Sequence, residues 1–152
     1  MHCRSLYSGL VVHRVAYCVK RSSCHSCCKL PKIERLRTDS VRIASGKTPH
    51  TRILTPEEHL PRIREFMLSD KPFRENTANA LMPEVPAPVK NHSMEEALQE
   101  LSRELSFFFD VFQKNGMQIS RNPFFGDLSF EDNVHLLYKH AQHHLRQFGQ
   151  VI

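Results

Sequence analysis

Several residue types are scarce or confined in this 152-residue sequence, and each absence removes a class of protein. No run approaches the ~18 apolar residues that a transmembrane helix needs, so we expect no membrane partner. The five cysteines are odd in number and none follows Cys28, which argues against a disulfide framework for the core. The apolar segment 10–19 contains His13 and Arg14 and lacks a clear cleavage site, so it indicates a signal peptide only weakly. A single domain in a reducing cytoplasm is the expectation.

Acidic residues are nearly missing from the first third of the chain. Residues 1–52 carry 11 Lys and Arg against 2 Asp and Glu, whereas residues 53–152 carry 10 against 14. A basic segment can bind nucleic acid or an anionic surface, but this one lacks the interleaved aromatic residues that stack on bases. We therefore interpret residues 1–52 as a poorly ordered basic arm rich in Cys and His, and we expect residues 53–152 to form the folded domain.

A short cysteine motif lies within the arm. Cys24 and Cys27 form a CxxC pair, with His25 and Cys28 beside them. A structural zinc site needs about four ligands, and no second CxxC or HxxxH follows at zinc-finger spacing. A zinc knuckle, a redox pair and an incidental cysteine-rich segment therefore stay as alternatives, and the last is favoured.

Helix signals begin after the arm. Residues 55–58, Thr-Pro-Glu-Glu, have the form of a helix start with Thr55 as the cap. Pro61 predicts that this helix, at roughly residues 57–69, is short or kinked. The proline-rich segment 71–91 predicts an extended crossing, and residues 115–128 predict a connection. Its two phenylalanines, Phe124 and Phe125, are expected to close one end of a helical bundle, with binding of a base or a sugar as the alternative.

Two longer segments predict the main helices. Ser93 and Glu96 form a capping box for a helix that runs to about Asn115, and Ser129 caps the last helix. Apolar positions recur at alternating spacings of four and three, which is typical of a bundle seam. These positions are Met94, Leu98, Leu101, Leu105, Phe108 and Phe112 in the first segment, and Phe130, Val134, Leu137, Ala141, His144 and Phe148 in the second.

A histidine pair lies near the end of the last helix. His140 and His144 are four residues apart and therefore on one face, where two imidazoles can bind one metal ion. His143 lies about 100° around the helix and cannot easily join them. Burying both rings without partners would cost about 1–3 kcal/mol for each unsatisfied polar atom, and a shared metal removes that cost. Because binding requires neutral rings, affinity should fall below about pH 6. The alternative is that His144 is a core histidine satisfied by a carbonyl or a carboxylate.

The pattern His140-x-x-x-His144-x-x-Gln147 resembles the end of the last helix in the DinB-like, or YfiT-like, superfamily of metal-dependent helical bundles. Residues 71–76, 122–129 and 138–149 resemble one uncharacterised branch of that superfamily more closely. The resemblance covers roughly residues 62–150.

The resemblance implies an all-α four-helix bundle in which three histidines hold a divalent metal, such as zinc or nickel. His140 and His144 match the two late ligands. His13 is the nearest candidate for the early ligand, with His50 and His59 as alternatives. The first ~50 residues lack the usual first-helix pattern and the chain has no tryptophan. Either the arm has diverged, leaving the bundle incomplete at its N-terminal helix, or the chain begins with a segment foreign to the family.

Two functions follow as hypotheses. The first is a metal-dependent enzyme, hydrolase-like or thiol-transferase-like, with Gln147 as an orienting group and a small molecule as substrate. The second is a non-catalytic bundle in which the histidines are structural and the arm contacts nucleic acid or another protein. A homodimer is left open as the assembly.

Overall fold

The structure, a computed structural model, describes residues 38–74, 77, 81, 91–115 and 118–147. This part of the chain is mostly helical and contains a small two-stranded sheet, which confirms the helical class in its coarse form. No helix among these residues is long and apolar enough to cross a membrane. The predictions for the CxxC pair, His13 and Phe148 lie outside the described residues.

Helix α1 comprises residues 38–44 and lies in the segment that the charge pattern assigned to the arm. Val41 and Ala44 are buried in one hydrophobic cluster with residues from later helices. Gly46 follows with a φ of 73°, a left-handed conformation that glycine adopts without strain and that ends the helix. Residues 38–44 therefore pack against the helical domain, although that domain was expected to begin only at residue 53.

A 3-10 turn, Glu57–His59, leads into helix α2, Leu60–Leu68. Pro61 falls in the first turn of α2, one residue after the helix begins. The N–H groups of the first turn have no intrahelical partner, so the proline is accommodated there and the helix is short but not kinked. The expected cap at Thr55 is wrong. Its hydroxyl instead donates to the Phe124 carbonyl at 2.8 Å, because residues 54–55 lie against the turn that precedes the last helix.

Helix α3, Met94–Lys114, begins at the predicted capping box. The Ser93 hydroxyl accepts the Glu96 amide at 3.1 Å, and the Glu96 carboxylate accepts the His92 amide at 2.9 Å, one residue earlier than in the usual box. The predicted seam is confirmed in its second half, where Leu101, Leu105, Phe108 and Phe112 are buried.

The connection before the last helix contains a β-hairpin that the sequence did not predict. Strand β1, Ser120–Asn122, pairs antiparallel with β2, Gly126–Leu128. The Asn122 side-chain oxygen accepts two backbone amides of the turn, at 3.0 and 3.2 Å. Gly126 then adopts a φ of 79°. Strands of three residues are too short to show an alternating pattern of apolar residues. The only sequence signals for the turn between them are therefore Asn122 and Gly126, which are residue types common in turns.

Helix α4, Phe130–Gln147, is capped as predicted, since the Asp132 amide donates to the Ser129 hydroxyl at 3.2 Å. Asn133 is buried and its amide group donates to the Ser120 hydroxyl and the Ser129 carbonyl, which ties the hairpin to α4. Helices α1, α3 and α4 share one core. It consists of Val41, Ala44, Leu101, Leu105, Phe108 and Phe112, with Phe109, Phe130, Val134 and Leu137 packed against it.

A cluster of charged side chains joins α1 and the residues after it to α3. The Arg42 guanidinium donates to Glu100 at 2.6 Å and to Glu104 at 3.0 Å, and the Lys47 ammonium donates to Glu104 at 2.8 Å. Burial is the largest single influence on the pKa of Glu104 and raises it, but the bonds from Lys47 and Arg42 together outweigh burial and lower that pKa. Glu104 therefore contributes stability above its ordinary pKa, and this contribution is lost as the pH falls through the lowered value.

We predict that Glu104→Gln lowers the free energy of unfolding by about 1–3 kcal/mol at pH 7, because Arg42 and Lys47 lose a buried anion. The gap from wild type should begin to narrow as the pH falls below about 4.3, the ordinary pKa of glutamate, and should close as the pH passes through the lowered pKa of the folded carboxylate. Urea unfolding at pH 7 and pH 3 measures both values. Glu95→Gln, on the exposed face of α3, is the control and should change little. A gap of equal size at the two pH values would contradict the assignment.

Candidate metal centre

The rings of His140 and His144 face each other on α4. Their Nε2 atoms lie 2.8 Å apart and their ring centroids 4.5 Å apart. His144 is buried, with 8% of its surface exposed, and His140 is half-buried. The four-residue spacing thus places the two rings together, as the sequence predicts.

The outer nitrogens of the pair also have partners. His144 Nδ1 lies 2.9 Å from the Gln147 side-chain oxygen, which is the orienting position expected for Gln147. His140 Nδ1 lies 3.2 Å from the Ser40 hydroxyl. Every ring nitrogen of the pair is therefore within hydrogen-bonding distance of a polar atom. The pair therefore does not need a metal to satisfy its polar atoms, because hydrogen bonds already remove the cost of burying them.

His143 lies beside the pair, with its ring centroid 5.3 Å from that of His144. Its Nε2 atom is 3.2 Å from the Gln147 side-chain nitrogen, so Gln147 bridges His143 and His144. The His143 ring also meets Phe73 edge to face, with centroids 5.9 Å apart at 86°. The His143 ring therefore packs against a residue that follows α2.

A third ligand is the missing element of the predicted site. Within the described ranges, no three His, Cys, Asp or Glu side chains are grouped so that they could hold a metal ion. His50 and His59 belong to those ranges, so neither forms such a group with the pair. His13 lies outside them, and its role as a ligand stays a prediction.

Lys139 holds α4, and with it the histidines, against the end of α2. Its ammonium donates to the carbonyls of Phe66 and Ser69, both at 2.5 Å, and to that of Met67 at 3.2 Å. The last carbonyls of a helix lack intrahelical partners and carry partial negative charge, so a cation is a suitable cap. The ammonium also lies 4.5 Å from the centroid of the Phe66 ring.

The environment of Lys139 combines burial with donation to these carbonyls. Lys139 is only 7% exposed, and burial lowers its pKa, an effect that the charge of Asp70 partly opposes. Only the charged ammonium can donate to three carbonyls at once. Sequence reasoning missed this role, because a lysine beside polar residues on a helix ordinarily indicates an exposed position.

Two other residues of the centre had no clear signal in the sequence. Ser40 comes from α1, 100 residues before His140, in the segment that was assigned to the arm. Phe73 lies between aromatic neighbours, with ring centroids 5.7 Å from Phe66 and 6.2 Å from Phe125. Both reach the pair or its neighbour through tertiary contacts, which local spacing does not encode.

Comparisons of the chain with protein-family models, with curated proteins and with solved structures found no match. Membership of the DinB-like superfamily therefore stays a hypothesis drawn from the motif.

We predict that Lys139→Met lowers the free energy of unfolding by roughly 2–4 kcal/mol, because three carbonyls lose a charged donor in a buried setting. Urea unfolding at neutral pH measures the change. Lys114→Met, at the exposed end of α3, is the control and should cost less than about 1 kcal/mol. Equal effects of the two substitutions would show that the ammonium of Lys139 does not anchor α4.

Proposed function

We propose that this chain is a DinB-like helical-bundle protein in which His140 and His144 hold a divalent cation, zinc or nickel. The proposal is supported most directly by one observation. The two Nε2 atoms converge at 2.8 Å, while each Nδ1 atom lies against a neutral side-chain oxygen. Histidines that bind metals commonly donate the other ring N–H to such an oxygen, which fixes the ring and leaves the facing nitrogen for the metal.

The spacing of the pair fits a shared cation after a small adjustment. With Zn–N bonds of ~2.0–2.1 Å and tetrahedral angles, two nitrogen ligands would be ~3.3 Å apart. The Nε2 atoms are 2.8 Å apart, so the rings need to separate by roughly half an ångström. A change of ring torsions is sufficient for that, since the torsion that turns an imidazole is broad.

A divalent cation at this position would supply Lewis acidity, which lowers the pKa of a coordinated thiol or water and favours hydrolysis or thiol transfer. The residues of the chain would hold and orient it. His140 and His144 provide two ligands, Gln147 orients His144, and His13 is the candidate for the third ligand. A small molecule is the proposed substrate, and the reaction is proposed only at the level of these two classes.

A second function is favoured by the same hydrogen bonds. Because each ring nitrogen of the pair has a partner without a metal, His140 and His144 also fit a purely structural role. The chain would then be a non-catalytic bundle whose basic N-terminal segment contacts nucleic acid or another protein. Binding to DNA or RNA that weakens steeply with salt, and is lost when residues 1–37 are removed, would support this reading. Residues 38–44 are kept in that test because they belong to the core.

For the metal-binding function, we predict about one divalent ion per purified chain after reconstitution with zinc or nickel, and a value near zero in the double variant His140→Ala/His144→Ala. Elemental analysis after removal of loosely bound metal measures the ratio. His135→Ala, which changes an exposed histidine on the same helix, is the matched control and should keep the wild-type value.

A wild-type value near zero would exclude the metal-binding function and favour the structural role. Equal loading of wild type and the double variant would show that the metal binds elsewhere.

A further inference from the structure

Ser40 contacts the histidine pair from another described helix, α1. Its hydroxyl oxygen lies 3.2 Å from His140 Nδ1, although the two residues are 100 positions apart in sequence. We propose that Ser40 is a positioning residue for the metal centre, which fixes the ring of His140 so that its Nε2 atom faces His144. This inference rests on the proposed metal-binding function and assigns a role to a residue from the basic N-terminal third.

The need for such a residue follows from the shape of imidazole. A half-turn about the bond that joins the ring to Cβ exchanges Nδ1 with a carbon, and it exchanges Nε2 with the other carbon. The torsion is broad, so an unanchored ring samples both orientations. In the turned state His140 presents a carbon to His144, and the pair no longer offers two nitrogens to one ion. A hydrogen bond at Nδ1 favours the productive orientation.

Each ring of the pair is anchored in the same way. Gln147 provides the oxygen for His144, from the same helix and three residues later. Ser40 provides the oxygen for His140 from α1. A side chain one turn along α4 reorients with the helix, whereas Ser40 sets the ring of His140 relative to a second element. The centre therefore depends on how α1 is placed.

The position of α1 is well determined by its other contacts. Val41, next to Ser40, is 2% exposed in the shared core, and Arg42 donates to Glu100 and Glu104 of α3. The hydroxyl is thus presented from a helix that is fixed by packing and by ion pairs. Groups that orient metal ligands act best when their own position is fixed in this way.

A hydroxyl at residue 40 can form a hydrogen bond with His140 whether or not the pair holds a metal ion. Without a metal, the short distance between the two Nε2 atoms requires one of them to carry the proton. If His140 carries it, His140 Nδ1 accepts a hydrogen bond from Ser40. When both Nε2 atoms face a cation, each Nδ1 carries the proton, and Ser40 accepts instead. Serine and threonine can do both, whereas alanine and valine can do neither.

The test compares Ser40→Ala and Ser40→Thr with the control Ser45→Ala. Ser45 is the matched control because it lies just after α1, is 3% exposed, and has a hydroxyl that donates to the Arg42 carbonyl. Zinc affinity is measured by competition with a chelating dye. We expect Ser40→Ala to weaken binding roughly 10- to 100-fold, which is the usual effect of losing such a partner. Ser40→Thr and Ser45→Ala should stay within about threefold of wild type.

If Ser40→Ala does not fold, the pair Ser40→Val and Ser40→Thr replaces it, since these side chains share one shape and differ in the hydroxyl. Equal zinc affinity in the variants with and without the hydroxyl would overturn the positioning role. That result would leave the proposed metal-binding function intact, because the wild-type protein would still bind zinc.

A second readout does not depend on metal. Long-range ¹H–¹⁵N NMR spectra of the metal-free protein report the environment of both ring nitrogens of His140. We expect these signals to move in Ser40→Ala, to return in Ser40→Thr and to stay unchanged in Ser45→Ala. If wild type binds no zinc, the proposed function fails, and the orienting contact is then judged by the NMR spectra. Signals of His140 that are identical in wild type and Ser40→Ala would overturn it.

Discussion

The buried ammonium of Lys139 holds the last helix against the carboxyl end of α2, and the arrangement of the histidines depends on this contact. Its three carbonyl acceptors belong to Phe66, Met67 and Ser69. They are groups that a helix end leaves without intrahelical partners, so the lysine satisfies them and is satisfied by them. His140 and His143 follow within one turn of Lys139. The contact of Lys139 with the carbonyls therefore fixes the position of both rings along the axis of α4, relative to Phe73 and α2.

A second set of contacts fixes α4 relative to α1 and α3. The shared hydrophobic core provides most of the burial, and Arg42 with its two glutamates prevents α1 from sliding along α3. Breaking such a buried cluster at one partner leaves an uncompensated charge, so it specifies one arrangement of the two helices. Ser40 lies next to Val41 and Arg42 in α1, and its hydroxyl contacts His140. The position of α1 therefore determines where this hydroxyl meets the His140 ring. The position of His140 relative to Ser40 thus depends on the packing of α1, α3 and α4.

The parts of the fold that were predictable from sequence are those encoded by local rules. The caps at Ser93 and Ser129 and the seam through Leu101 and Phe112 follow from spacing and residue type, and so does the shared face of His140 and His144. The remainder depends on tertiary contacts. Thr55 has the chemistry of a cap, but its hydroxyl finds the Phe124 carbonyl in the turn between the strands. Helix α1 lies within a basic segment of the sequence, so composition does not assign it to the core. Its place there is shown only by the packing of Val41 and Ala44.

We propose that His140 and His144 together bind one divalent ion. Zinc K-edge X-ray absorption of the reconstituted protein tests it most directly, because imidazole ligands give a characteristic outer-shell scattering pattern. If both histidines bind the ion, the spectrum should show a shell of nitrogen or oxygen at ~2.0–2.1 Å with at least two imidazole contributions, and fewer of them in His144→Ala. A zinc spectrum without imidazole scattering, or one unchanged by that substitution, would show that the two histidines do not bind the ion.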